Sequence, residues 1–134
     1  MRRFGATVAV VGLAACGPRL GSLRDSGAED ESFAAINERI FVPSCALSVC
    51  HSGNPPPFAP MSLDPEHSWN SLVGAPSIQQ PELKRVEPFS PDESYLMRKL
   101  EGKAKTRMPL GKPPLADEEV AVIRRWIERG APND

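Results

Sequence analysis

The feature that most constrains this chain is the segment Cys45-Ala46-Leu47-Ser48-Val49-Cys50-His51. A core this small often needs a staple, whether a disulfide, a metal or a cofactor. Among 134 residues, this segment brings two of the three cysteines next to a histidine. The cysteines stand at i and i+5, about 140° apart at 3.6 residues per turn. A regular helix therefore cannot turn both thiols to one side. The spacer must bulge or loop, leaving Cys50-His51 to open the next turn.

The N-terminus decides what chemistry is open to those thiols. Arg2 and Arg3 precede an apolar stretch, residues 6–15, broken only by Thr7 and Gly12. It is too short for a span of about 20 residues and has the proportions of an export signal. It ends in Leu13-Ala14-Ala15-Cys16, which resembles the bacterial lipobox. That resemblance implies a signal peptide over residues 1–15, a lipid on Cys16 and a membrane anchor. Gly17 in place of an aspartate resembles lipoproteins sent to the outer membrane, facing the periplasm or the cell surface. Residues 16–31 read as a lipidated flexible tether reaching roughly 20 Å. Export also puts Cys45 and Cys50 where disulfides persist and where covalent haem is attached.

Residues 32–134 form one domain. Hydrophobic residues at 40% and charged residues at 25% are ordinary for a globular protein, and 15 prolines predict short elements with stiff connections. A net charge of −1 argues against general binding to nucleic acid or anionic lipid. Phe33, Ile36, Ile40 and Phe41 predict an amphipathic helix over 32–40, capped by Asp30 or Ser32 and ended by Pro43. Asp64-Pro65 predicts a second helix start, with a helix over 65–73 that buries Trp69 and Leu72 or Val73. Ser90-Pro91-Asp92-Glu93 reads as a capping box, opening a third helix that runs to Leu100 with Leu96, Met97 and Leu100 inward. Residues 75–89 and 103–114 read as loops. The last helix, 117–129, gathers Val120, Val122, Ile123, Trp126 and Ile127 on one arc and ends at Gly130 and Pro132. No strand pattern emerges. The fold class is all-α.

Two thiols followed directly by a histidine suggest covalent attachment of haem c, for which Cys-x-x-Cys-His is the usual pattern. The same residues also allow a Cys45–Cys50 disulfide with His51 a bystander. A zinc site adding His67 is a third option, although adjacent Cys50 and His51 are awkward ligands of one tetrahedral ion. A haem iron that shuttles electrons needs a second axial ligand, and methionine sulfur raises its potential. Met61, Met97 and Met108 are the candidates. Met97 falls on an apolar helix face and reads as core. Met108 lies in Arg107-Met108-Pro109-Leu110-Gly111, just before the last helix.

The order of these parts is the basis of a resemblance. An amphipathic helix precedes Cys…Cys-His. A proline-rich loop and a helix follow, then Met108-Pro109-Leu110-Gly111, and a final helix carrying Ile123-Arg124-Arg125-Trp126-Ile127 and ending Gly130-Ala131. Over residues 32–132 this resembles a class I cytochrome c domain, and more narrowly the cytochrome c-like domains of bacterial surface and periplasmic proteins. The resemblance implies thioethers to one haem c from Cys45 and Cys50, with His51 and Met108 as the axial iron ligands. It also implies that the first and last helices cross, with Phe33 or Ile36 against Trp126 or Ile127. The four-residue spacer departs from the family's pattern and puts the attachment in question.

The expected function is therefore a membrane-tethered, mono-haem electron carrier working with a redox partner protein. One competing expectation is a non-redox interaction module of the same fold, with a disulfide in place of haem. The other is a haem sensor or peroxidase with an open distal face. No nucleophile elbow, H-E-x-x-H or phosphate-binding glycine loop points to substrate turnover. Lys103, Lys105, Arg107 and Lys112 flank Met108 and read as a solvated loop or a basic rim for an acidic partner.

Overall fold

The computed structural model describes residues 30–55, 57 and 60–134. The expected leader, the expected lipidation residue Cys16 and nearly all of the expected tether lie outside the described residues. Within them the fold is all-α. The helices are α1 (Phe33–Ile36), α2 (Val42–Ser44), α3 (Ser68–Leu72), α4 (Tyr95–Leu100) and α5 (Asp117–Glu128), joined by long irregular connections. No strand forms among the described residues; two isolated bridges, Val73 with Val86 and Pro76 with Lys84, tie the connection between α3 and α4. None of the described helices is long and apolar enough to cross a membrane.

The Ser32 hydroxyl caps α1 by accepting from the Ala35 N–H at 3.2 Å. Pro43 does not end this helix as expected. The backbone stays helical over 33–44 because a π-helical turn, Asn37–Phe41, joins α1 to α2. In that wider turn the Val42 N–H reaches back to Asn37. Such spacing spreads the carbonyls that the Pro43 ring would otherwise strike.

The second expected helix is shorter than its pattern suggested. Residues 64–67 form a turn and α3 covers only Ser68–Leu72. The Asp64 carboxylate is not its cap, being taken by donors from an earlier loop. Leu72 is buried, while Trp69 is half-buried and donates its indole N–H to the Ala131 carbonyl at 2.9 Å.

The capping box at Ser90 does not form either, and no side-chain cap bond is made there. A 3-10 turn, Pro91–Glu93, gives way to extended backbone at Ser94 (ψ 121°) before α4 begins. Ser94 is fully buried, accepts from the Glu87 N–H at 2.8 Å and donates to the Ser90 carbonyl at 3.0 Å. Those bonds pull the chain out of helical geometry. The first donors of α4 are met instead by carbonyls from the preceding connection, Tyr95 N–H to Lys84 and Leu96 N–H to Arg85, both at 2.9 Å.

The core sits between the first helical stretch and α5. Trp126 is fully buried and stacks on Phe33 with ring centroids 5.2 Å apart, while its indole N–H donates to the Pro132 carbonyl at 2.9 Å. Ile36, Phe41, Leu72, Val86, Met97, Ile123 and Ile127 complete the buried mass. The C-terminus closes over this junction. The Asp134 carboxylate accepts the Phe33 N–H at 2.7 Å, and its backbone oxygen accepts the Ala34 N–H at 2.9 Å. Glu31 pairs with Arg125 on α5, and its carbonyl accepts from Arg129 at 2.7 Å.

Candidate functional site

Cys45 caps the end of α2, its N–H donating to the Phe41 carbonyl at 2.8 Å. The spacer then leaves helical geometry. Cys50 donates to the Leu47 carbonyl at 2.8 Å, closing a tight turn that carries the chain into His51. Both cysteines are half-buried free thiols. Cys45 packs against the main core, as do Met61 and Met108. Burial pushes the Cys45 thiol up to about 11, with Lys112 pulling weakly the other way and Cys50 and Glu119 adding to the rise. At neutral pH Cys45 is therefore a thiol, not a thiolate.

His51 is half-buried and doubly held. Its carbonyl accepts the Leu63 N–H at 2.7 Å, and its Nδ1 lies 3.3 Å from the Met61 carbonyl oxygen. A carbonyl oxygen only accepts, so Nδ1 carries the proton and Nε2 keeps its lone pair. Burial lowers the pKa of the imidazole, opposed by that bond and helped by the Arg85 charge. A neutral ring with one nitrogen tied to a carbonyl and the other open is what a metal-binding histidine requires.

The neck behind His51 is fastened by a residue that sequence reasoning took for a helix cap. The Asp64 carboxylate accepts from the Ser52 hydroxyl (2.6 Å), the Gly53 N–H (2.7 Å) and the Ser62 hydroxyl (2.8 Å). These three bonds, with Ser52 contributing most, lower its pKa. The three donors lie on both sides of the loop between His51 and Asp64. A serine two residues before the aspartate, here Ser62, was the only local sign of this arrangement.

Met108 is half-buried, and its N–H donates to the Lys99 carbonyl of α4 at 3.0 Å. The Met108–Pro109 peptide is cis. Met61 meets His51 through its backbone, while its side chain packs on the core. Met97 is fully buried, in keeping with a packing role. The zinc option is not assembled: among the described residues no three His, Cys, Asp or Glu side chains gather as a metal-holding group, and His67 is exposed.

In residue type, the donor set is one that would hold a haem covalently. It offers two free thiols, an imidazole whose Nε2 has no hydrogen-bond partner among the described residues, and a thioether that, like Cys45, packs against the core. Apolar side chains of the same segments, Val42, Val49 and Leu110, stand exposed. What the described residues define is an all-α domain of short helices with this donor set on its irregular connections. No family model matches the chain, and no curated protein or solved structure is significantly similar to it.

Proposed function

We propose that this chain is a membrane-tethered, mono-haem c-type electron-transfer protein of cytochrome c-like fold. Cys45 and Cys50 hold the cofactor, and His51 and Met108 are the axial ligands of its iron. The observation that carries this reading is the setting of His51. Its Nδ1–H is fixed on the Met61 carbonyl, its Nε2 has no hydrogen-bond partner among the described residues, and it follows directly on a free thiol at Cys50. When bound, the haem supplies one-electron chemistry. The chain's own part is to orient His51 through Met61 and Leu63, to hold the Met108 backbone on Lys99, and to set an apolar core behind Cys45. In the same reading the signal peptide is removed, Cys16 carries the lipid, and the domain meets a redox partner protein at the outer membrane.

The test is export of the full chain in a host that matures c-type cytochromes, followed by haem staining after denaturing electrophoresis and intact-mass analysis. The expected result is a stained band and a mass increase of one haem. Loss of only two hydrogens would mean a Cys45–Cys50 disulfide, and the interaction-module reading would replace this one.

A further inference from the structure

A cleft of about 600 Å³ lies away from the cysteine segment, lined by Gln79, Gln80, Tyr95, Arg98, Lys103, Ala104, Lys105 and Thr106. Three cations and no carboxylate face it. Its neutral polar groups are also turned toward donation. The Tyr95 hydroxyl donates to the Gln79 carbonyl oxygen at 2.9 Å, which leaves the Gln79 amide NH₂ as a donor. The Lys103 and Ala104 N–H groups fold back onto the Arg98 carbonyl at 2.8 and 3.0 Å, so the loop wraps the root of the arginine. Among the described residues neither Arg98 nor Lys105 has a carboxylate partner, whereas Lys103 also meets Glu101 at 2.7 Å. Behind the Tyr95 wall lies a further cation. The Lys99 Nζ is buried without a hydrogen-bond partner among the described residues, 5.3 Å from the Tyr95 ring centroid.

A concave wall that carries Arg98, whose Nε donates only to the Asp92 backbone carbonyl at 3.4 Å, and Lys105, which has no ion-pair partner among the described residues, lowers the energy of an anion held within it. The guanidinium fork of Arg98 suits a phosphate or carboxylate edge better than a point charge would. The volume exceeds what one small ion fills and falls in the range of small-molecule sites. We infer that this cleft binds a small, multiply charged phosphate compound, gripped by Arg98 and Lys105 with Gln79 and Thr106 as neutral donors. The site is independent of any cofactor at His51. Its lining is nonetheless continuous in sequence with the Met108 loop, because Lys105 and Thr106 are followed by Arg107 and Met108.

The experiment is titration calorimetry of the full exported chain with inorganic pyrophosphate at low ionic strength, repeated at rising salt. Saturable one-site binding that weakens with salt is expected. The double variant Arg98→Gln/Lys105→Gln should bind about a hundredfold more weakly, since each lost charge-assisted bond removes about tenfold and the two factors multiply. Lys84→Gln, at a lysine already paired with Glu87 at 2.8 Å, should bind as the parent does. Should the double variant misfold by circular dichroism, Lys105→Gln alone serves, its side chain being exposed. Absence of saturable heat, or equal binding by the variants, overturns the site. Tighter binding of a polyglutamate peptide at these same residues overturns it too, in favour of protein docking.

Discussion

The imidazole Nδ1 of His51 lies 3.3 Å from the carbonyl oxygen of Met61, ten residues further along the chain. That relationship fixes the tautomer and leaves Nε2 as the only ring atom able to bind a metal. It also gives Met61 a part in the site that does not involve its sulfur.

Burial dominates the His51 titration, so in the cofactor-free chain its midpoint should fall below 6.5. The imidazolium costs more in the folded than in the unfolded state. The stability linked to His51 is therefore complete above pH 6.5 and declines as pH falls toward the folded-state pKa. His51→Gln should flatten that part of the pH–stability curve. Histidine ring NMR together with denaturation at several pH values checks both statements. A midpoint at or above 6.5 would contradict them.

In the haem-bound form proposed above, Met108→Ala should leave the covalent attachment in place, since Cys45 and Cys50 are untouched. It should lower the reduction potential and change the reduced spectrum, because a thioether ligand raises the potential. Spectra and a redox titration of the exported variant provide the measurement. An unchanged reduced spectrum removes Met108 from the iron.

Asp64→Ala strips a common acceptor from Ser52, Gly53 and Ser62. Hydrogen exchange should then speed at the amides of Gly53 and Leu63, the latter bonded to the His51 carbonyl. Asp64→Asn, which keeps one acceptor oxygen, should fall between. Because these bonds lower the Asp64 pKa, the wild-type neck is intact above about 3.8 and loosens as pH falls through the folded value. Exchange rates unmoved by either substitution would show that Leu63 and His51 hold the neck unaided.

Trp126→Ala removes the largest fully buried side chain, together with its stacking on Phe33 and its bond to Pro132. A loss of about 3–5 kcal/mol is expected, read from denaturant unfolding. A loss below about 1 kcal/mol would mean that the first helical stretch and α5 do not share one cooperative core.

The closing helix was legible because its order is local. Val122, Ile123, Trp126 and Ile127 recur at helical spacing, and all four are buried. The same holds for Phe33, Ile36, Ile40 and Phe41, although the π turn that carries the helix through Pro43 left no periodic trace. The misread boundaries have a common cause. Ser90 and Asp64 each carry a local helix-start signal; at the first, the Ser94 hydroxyl ties the chain to Glu87 and to the Ser90 carbonyl instead, and at the second the Asp64 carboxylate is taken by Ser52 and Gly53. A capping motif announces only what a side chain is able to bond; competition from elsewhere in the fold decides what it does bond. At the candidate site the residue types were readable, but the Met61 carbonyl was not, since a backbone oxygen has no signature in a sequence.

The clasp of Glu31 onto Arg125 and Arg129, reinforced by Asp134 on Phe33 and Ala34, has a mechanical consequence. In a tethered protein, any pull arriving along the leader side enters at residues 30–32. The clasp passes that load to α5 before it reaches the segment that begins at Cys45. In the anchored form proposed above, tension would thus enter the buried core through α5 rather than through the segment that carries His51.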